Sequence, residues 1–350
     1  MPEMIQGPAN WTGPEVAASQ DWVHQFSGAE IKEIDAALQT AKARGKTLET
    51  LTKEDFPLPT VAKRLEYARD FIENGRGFYQ LRGINVEGYS KDDLRLLYWG
   101  FGRHIGTAVS QSRDGDILGD VRNVGVDIHS PQGRGYKSNQ RLNFHTDSAD
   151  VVCLFVLCVA KEGGLSKVAC TAAIHNEILR RRPDLLEVLY QPFTWSWNQQ
   201  EPPGELPYYQ QPIFTKHEGR VSCRYIRGHI TNGQRFPEVP RLTEKQIEAL
   251  DMLDAVANDE RFHVTYDFKP GDLQLVNNHV CLHARTAFED YPERDRRRHL
   301  LRMWLSVPNS RPLSPALRTI YRDQRPGAVR GGFPSRTGRH IYESTGALVD

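Results

Sequence analysis

Cysteine, net charge and long apolar runs are all scarce in this chain of 350 residues. Its five cysteines (Cys153, Cys158, Cys170, Cys223 and Cys281) are an odd number with no Cys-x-x-Cys spacing. That argues against a disulfide framework and a thiolate zinc site, and leaves reduced, packed thiols as the reading. The 45 Lys and Arg nearly cancel the 44 Asp and Glu, so no overall field exists to gather nucleic acid or to coat an anionic membrane. No uncharged apolar stretch approaches the roughly 18 residues that a spanning helix needs. The opening MPEMIQGPANWTGPEV has neither a basic n-region nor an apolar h-region, and a cytoplasmic location is the expectation. Without a secretion signal, Asn10-Trp11-Thr12 reads as a chance match to a glycosylation acceptor. A small-molecule partner is what these absences leave, and 39% apolar residues supply a sizeable core. On oligomeric state the sequence is silent, so a homodimer stands only as the commonest default.

Residues 1–27, with Pro2, Pro8, Gly13 and Pro14 among polar residues, read as an irregular lead-in. A single domain is expected over 28–312. Ser27 can cap a helix through Ile31, Ile34, Ala37 and Leu38; Pro59 or Thr60 opens a second through Val61, Leu65, Ala68 and Phe71. GFYQLRGINV (77–86) reads as a strand and SKDDLRLLYWGFGRHIG (90–106) as a capped helix. Beyond Gly106 come short strand candidates parted by Gly, Pro and Asn: VRNVGVDI, VVCLFVLCVA, SKVAC, FTWSW, SCRYI, FHVTYDF, LQLVNN and RHLLRMWLSV. Two helices, TAAIHNEILRRR and LTEKQIEALDMLDAVAND, should lie outside that sheet core. The chain is thus mainly β with flanking helices, a sandwich or barrel. Residues 313–350 form an extension rich in Arg, Pro and Gly, either packed over the body or partly disordered.

The chemistry concentrates in NQRLNFHTDSADVVCLFVLCVA. His145 and Asp147 stand two apart before a strongly apolar strand, where i and i+2 share a face and can grip one ion together. With one distant histidine they make the 2-His-1-carboxylate facial triad of non-haem iron(II), which leaves three positions open. LVNNHVCLHARTAFEDYPERDRRRHLLRMWL offers His279 and His283, four apart in a late strand beyond the Gly271-Asp272 turn. His283 is preferred, because Arg285 follows it and then Arg298 and Arg302 on the last strand; a shift of register would exchange it with His279. A guanidinium stays charged and binds a carboxylate bidentately, so an arginine at the pocket floor suits the distal carboxylate of 2-oxoglutarate.

The segments FHTDSAD, KEGGLSKVAC, LVNNHVCLHARTAF and RRRHLLRMWL resemble those of the taurine dioxygenase-like (TauD/TfdA) branch of 2-oxoglutarate oxygenases, over roughly residues 75–310. The resemblance implies that His145, Asp147 and His283 bind iron and that Ser166 in GGLS helps hold the cosubstrate's distal carboxylate, with Thr171 as a substitute. It implies that Arg298 is the cosubstrate arginine and that Arg302 meets an acidic group on substrate or cosubstrate. The hydroxyl is Ser where Thr is familiar, and the loop between His283 and Arg298 is long and charged. The fold implied is a double-stranded β-helix, the jelly roll also used by cupins, with amino-terminal helices buttressing one sheet. The cofactors implied are Fe(II), 2-oxoglutarate and O2. The reaction is the oxidation of a C–H bond by hydroxylation, desaturation or cyclisation, with release of succinate and CO2. The expected substrate is a small, carboxylate-bearing molecule such as an amino acid or secondary-metabolite intermediate. A metal-dependent, cupin-like enzyme that is not an oxygenase, and a 2-oxoglutarate-binding sensor, are the alternatives.

Blander readings apply elsewhere. His104, His129, His175, His217, His229 and His299 have no partner at ligand spacing and read as structural or surface residues. RDRRRH (294–299) has Glu289, Asp290 and Glu293 beside it and reads as a solvated loop. Trp195 and Trp197 in FTWSW read as one core face and one rim. The segment 118–140 leads straight into the metal motif and is expected to act as a mobile lid or pocket wall.

Overall fold

The chain builds two facing sheets backed by helices, and the computed structural model describes residues 2–125 and 135–339. In chain order the strands that frame the site are β1 (Val23–Gln25), β2 (Phe78–Arg82), β3 (Thr107–Val109), β4 (Gly119–Val121), β5 (Leu142–His145), β6 (Val151–Cys158), β7 (Ser166–Cys170), β8 (His263–Tyr266), β9 (Leu273–Asn277), β10 (Cys281–Arg285) and β11 (His299–Ser306). The helices that buttress them are α1 (Gly28–Ala43), α2 (Val61–Asn74), α3 (Lys91–Ile105), α4 (Thr171–Arg181) and α5 (Glu244–Asn258).

The larger sheet has seven strands, ordered β1-β2-β9-β6-β11-β3, with β4 paired to β11 as well. β1 runs parallel to β2, and the other pairings are antiparallel. The smaller, four-stranded antiparallel sheet is ordered β8-β7-β10-β5. Face to face they form the double-stranded β-helix, a jelly roll with a cupin-like core.

β6 reads as an unbroken apolar run because both its faces are covered. Val151, Cys153, Phe155 and Leu157 join Leu301, Met303 and Leu305 of β11 in a core shared with α1, α2 and α3. The alternate residues turn inward: Val152 and Trp304 join the core between the sheets, while Leu154, Leu300 and Arg302 line a cavity. The outer helices begin where their caps put them. Ser27 and Glu30 close a capping box on α1, Ser90 accepts from the Asp93 amide at α3, and Thr243 with Gln246 caps α5. α4 and α5 cover the smaller sheet through Ile174, Ile178, Leu250 and Leu253. Among the described residues no helix is long and apolar enough to cross a membrane.

Residues 1–27 depart from the irregular lead-in that the sequence suggests. They hold a short helix, Gly13–Ala18, and the strand β1, which extends the larger sheet. The helix has its own signal, a Thr12–Glu15 capping box with Pro14 in the first turn; β1 is only three residues long, too short to show a period. A Cβ on Gly13 would stand 2.1 Å from the His263 carbonyl oxygen, so glycine is what lets this helix sit against β8.

The described part of the tail is packed as far as Phe333. The side chain of Arg330 is fully buried: its Nε donates to Asp150 Oδ1 at 2.8 Å and its Nη2 to the Arg311 carbonyl at 2.7 Å. Asp150 is shared with His279 Nε2 at 2.8 Å and the Ser306 hydroxyl at 3.2 Å. Removing one partner of a buried ion pair strands the other without solvent. Arg330→Ala should therefore cost about 3–5 kcal/mol in urea unfolding; a loss below about 1 kcal/mol, the range of exposed pairs, would show that the cluster does not hold the tail.

Candidate active site

β5 and β10 are paired so that His145 and His283 face each other directly, with ring centroids 4.2 Å apart. Asp147 is not on the strand. β5 ends at His145, and Asp147 lies in the connection to β6, fixed by side chains rather than by strand pleat. Its amide donates to Asn278 Oδ1 at 2.9 Å, and Trp304 Nε1 donates to its Oδ2 at 2.8 Å. One potential ligand atom from each of His145, Asp147 and His283 lies within 4.8 Å of the others.

The protonation states suit a metal. Burial works against the charge on Asp147, but Arg302, His283, His145 and the Trp304 hydrogen bond together hold its carboxyl below the usual range. Burial, and then His145, push His283 down to about 3 against the pull of Asp147, so its imidazole is neutral at physiological pH. His145 Nδ1 lies 2.8 Å from the Asn143 carbonyl oxygen, which fixes the proton there and leaves the Nε2 lone pair free. Two imidazoles and one carboxylate are the donor set that Fe(II) takes, so these residues fit the ion.

His279, which the sequence leaves as a competitor, is elsewhere. It stands in the tight connection between β9 and β10 and is almost wholly buried against Asp150. The four-residue spacing does not put both histidines on one strand face, because β10 begins at Cys281, after His279.

Two buried cations line the same cavity as the triad. Arg298 and Arg285 flank the Phe288 ring, their guanidinium carbons 5.2 and 4.6 Å from its centroid. Each has a buried Nη1 with no hydrogen-bond partner among the described residues. Burial, then Arg285, lowers Arg298 to about 9, with Asp290 opposing; burial lowers Arg285 to about 10, again against Asp290. Cations held at such cost are what a bound anion would stabilise. Gly163 and Gly164 have φ of +73° and +72°, and a Cβ on Gly164 would lie 3.2 Å from Arg298 Nε, so the turn needs glycine where it passes under the guanidinium. Ser166 lines the same cavity and is paired with Arg285 across the sheet.

Thr171 is a correction. It opens α4, its hydroxyl donates to the Val280 carbonyl at 2.8 Å, and it lies away from the cavity lining. β7 intervenes, and five strand residues carry the chain roughly 17 Å from Ser166.

Arg302 points inward from β11. Its Nε donates to Gln111 Oε1 at 2.6 Å, Gln111 Nε2 donates back to the Arg302 carbonyl at 2.9 Å, and its Nη1 is 3.7 Å from Asp147 Oδ2. The cavity lined by the triad, Ser166, Arg285, Arg298 and Arg302 measures about 750 Å3. Trp197 lines it, whereas Trp195 is core, with its Nε1 donating to the Gln211 carbonyl at 2.9 Å. Of the segment 118–140, Val121, Gly135 and Tyr136 line the cavity; residues 126–134, and with them His129 and much of the expected lid, lie outside the described residues. The sequence reading misses Trp304 and Gln111. Trp304 had a signal, since it sits two residues from Arg302 on the same strand face; Gln111 had none, being a loop residue nearly two hundred positions away.

A jelly roll whose mouth gathers two imidazoles and a carboxylate above a buried cation is a non-haem iron oxygenase scaffold. The chain belongs to the taurine catabolism dioxygenase TauD, TfdA family, whose model matches residues 42–304. With that family comes its class, a 2-oxoglutarate-dependent non-haem iron dioxygenase using Fe(II), 2-oxoglutarate and O2. The chain is 32% identical over 324 residues to an FR-33289 synthase of Streptomyces rubellomurinus, covering 90% of this chain and 94% of the relative. It is 30% identical over 307 residues to the taurine hydroxylase-like protein SAT17 of Stachybotrys chartarum, covering 84% and 77%. In fold it is similar to an asparagine oxygenase, with a TM-score of 0.63 at 18% identity over 81% of this chain and 93% of that one. It is also similar to the non-haem iron oxygenase OrfP, with a TM-score of 0.60 at 16% identity over the same shares of 81% and 93%.

Because Trp304 donates to a carboxylate of the candidate metal set, Trp304→Phe should weaken Fe(II) binding by about tenfold or more at an unchanged melting temperature. Competition titration with a metallochromic dye measures this, and unaltered affinity would mean that the indole serves packing alone.

Proposed function

We propose that the protein oxidises a C–H bond of a small, carboxylate-bearing substrate, with His145, Asp147 and His283 holding the iron. Arg298 and Ser166 take the distal carboxylate of 2-oxoglutarate, and Arg302 meets the acid group of the substrate. The observation that carries this reading is the gathering of three functions in one cavity: a two-imidazole and carboxylate set, a pair of buried arginines with unpaired donors, and a further arginine beside Asp147.

The bound iron would supply activation of oxygen, coupled to oxidative decarboxylation of the 2-oxo acid to succinate and CO2. The chain's own residues do the rest. The Asn143 carbonyl holds the His145 tautomer and the Trp304 indole holds Asp147, so the donor atoms are set in advance of binding. Arg298 offers a rigid fork to a carboxylate in a site from which water is largely excluded, where such a pair is strongest. Gln111 fixes Arg302 through a reciprocal pair of hydrogen bonds, so its remaining donors reach the cavity in one orientation. The walls keep water from the reacting carbon. A carboxylate-bearing substrate is in keeping with the fold relatives, one solved with 3-hydroxyasparagine and another with L-Arg. Hydroxylation is the simplest outcome; desaturation and cyclisation use the same site.

Anaerobic titration with Fe(II) and 2-oxoglutarate should produce the visible charge-transfer band of a metal–2-oxo acid chelate, and His145→Ala should abolish it. A wild-type protein that binds metal but never forms the band would sink the proposal in favour of a non-oxygenase metal enzyme. Arg298→Ala should raise the 2-oxoglutarate Kd by roughly 30-fold or more, the loss expected when a buried carboxylate loses its charged partner. An unchanged Kd would move that carboxylate to another cation, with Arg285 the nearest.

A further inference from the structure

The family match ends at residue 304, but the cavity wall does not. After β11 the chain turns back, is pinned by the buried Arg330, and passes over the connection that carries Asp147. The Gly332 amide donates to the Ser148 carbonyl at 2.6 Å and the Phe333 amide to the Ser110 carbonyl at 2.9 Å. Gly331 and Gly332 have φ of +80° and +66°, and added Cβ atoms would stand 2.8 and 2.6 Å from the Ser148 and Ser110 carbonyl oxygens. Only glycine fits both the conformation and the approach. Three residues on, the Arg336 amide bonds the Arg113 carbonyl at 2.8 Å and its guanidinium pairs with Asp114.

A backbone fixed at both ends delivers one large side chain to the cavity. The Phe333 ring lies 5.7 Å from Trp304 and 6.3 Å from Trp197, and all three line the cavity. Trp304 is the indole that holds Asp147, so this wall begins at the candidate metal set. Arg302, two residues before Trp304 on the same face of β11, is about 7 Å away along the strand. The chamber thus presents a cation and, within the length of a small molecule, an aromatic surface. Trp197 Nε1 is buried with no partner among the described residues.

We infer that Phe333, with Trp197 and Trp304, determines specificity, and that the substrate is a small amphipathic acid whose anionic group meets Arg302 while its alkyl or aryl portion lies on the aromatic wall. This rests on the reading of Arg302 given above. A polar, fully solvated acid would leave the wall wet, whereas an apolar portion removes that surface from water and gains affinity in proportion.

The test uses the full chain loaded anaerobically with Fe(II) and 2-oxoglutarate. It is titrated with acetate, hexanoate, 3-phenylpropanoate and neutral 3-phenylpropanamide, following perturbation of the charge-transfer band. Wild type should bind 3-phenylpropanoate at least about tenfold more tightly than acetate, the gain of burying an aryl group. Phe333→Ala should cut that ratio to about threefold or less, and Phe333→Trp, which fills the chamber, should favour acetate. The affinity for 2-oxoglutarate should stay within about twofold in both variants, as expected of a wall remote from the cationic floor. Should the alanine variant fail to fold, the tryptophan variant still carries the test, because it retains the apolar anchor. No chain-length preference in wild type, no binding of any acid, or a uniform loss across all acids in both variants would overturn the proposal. Amide binding as tight as that of the acid would overturn the acid half, and the Arg302 reading with it, while the aromatic wall stood.

Discussion

A carboxylate kept ionised inside the protein is the constraint around which this structure is arranged. Asp147 is buried, and moving such a group out of water costs several kcal/mol unless partners replace the lost hydration. The partners here come from separate places in the chain: Asn278 from the β9–β10 turn, Trp304 and Arg302 from β11, and the facing imidazoles of His145 and His283 from β5 and β10. Apart from the β9–β10 turn, which runs straight into β10, these elements are far apart in sequence, and closure of the two sheets brings them together. The site is therefore a property of the whole jelly roll. The same arrangement turns the carboxylate and the two facing imidazoles toward one point, where a divalent cation between them would complete the balance.

β11 sets the vertical scale of the cavity. Leu301, Met303 and Leu305 lock one face of it into the helix-backed core, so Leu300, Arg302 and Trp304 must face inward, with Arg298 just below. Strand rise, shortened by the irregularity between His299 and Leu300, then separates Arg298 from Arg302 by up to about 13 Å. One cation is placed at the floor and one beside Asp147, and a strand that cannot slip without exposing its outer leucines keeps that separation. The division proposed between a cosubstrate end and a substrate end follows from this spacing.

Much of this was legible in the chain. β6 and β11 announce themselves as apolar runs, the capped helices α1, α3 and α5 begin where Ser27, Ser90 and Thr243 put them, and His145, Asp147 and His283 are drawn together as their pattern suggests. The failures have particular causes. The spacing of two places Asp147 on a strand with His145, whereas it is positioned by two long-range hydrogen bonds that leave no local pattern. Thr171 and Ser166 are both hydroxyl residues after a Gly-Gly turn, and only the length of β7 separates the one that lines the cavity from the one that caps nothing there. His279 and His283 share a segment but not a strand, because the β9–β10 connection falls between them.

The tail shows a deeper limit. Its composition, rich in Arg, Pro and Gly, leaves packing and disorder both open for the segment that begins at residue 313. It packs as far as Phe333, because Leu313, Leu317, Ile320, Tyr321 and Phe333 join the core and because an arginine can be buried when a carboxylate and carbonyls are already waiting for it: Asp150, three residues beyond Asp147, and the carbonyls of Arg311 and Arg325 accept from Arg330. Asp150 would in turn be a destabilising buried charge without Arg330 and His279, since burial raises its pKa and these partners bring it below the usual range. Each side of that pair thus makes sense only when the other is present, and neither is visible from its own stretch of sequence. Anchoring the tail at that point also fixes where Gly331 and Gly332 cross Ser148. The wall of the chamber and the connection carrying Asp147 are held by one buried cluster, which couples the shape of the outer cavity to the integrity of the candidate metal site.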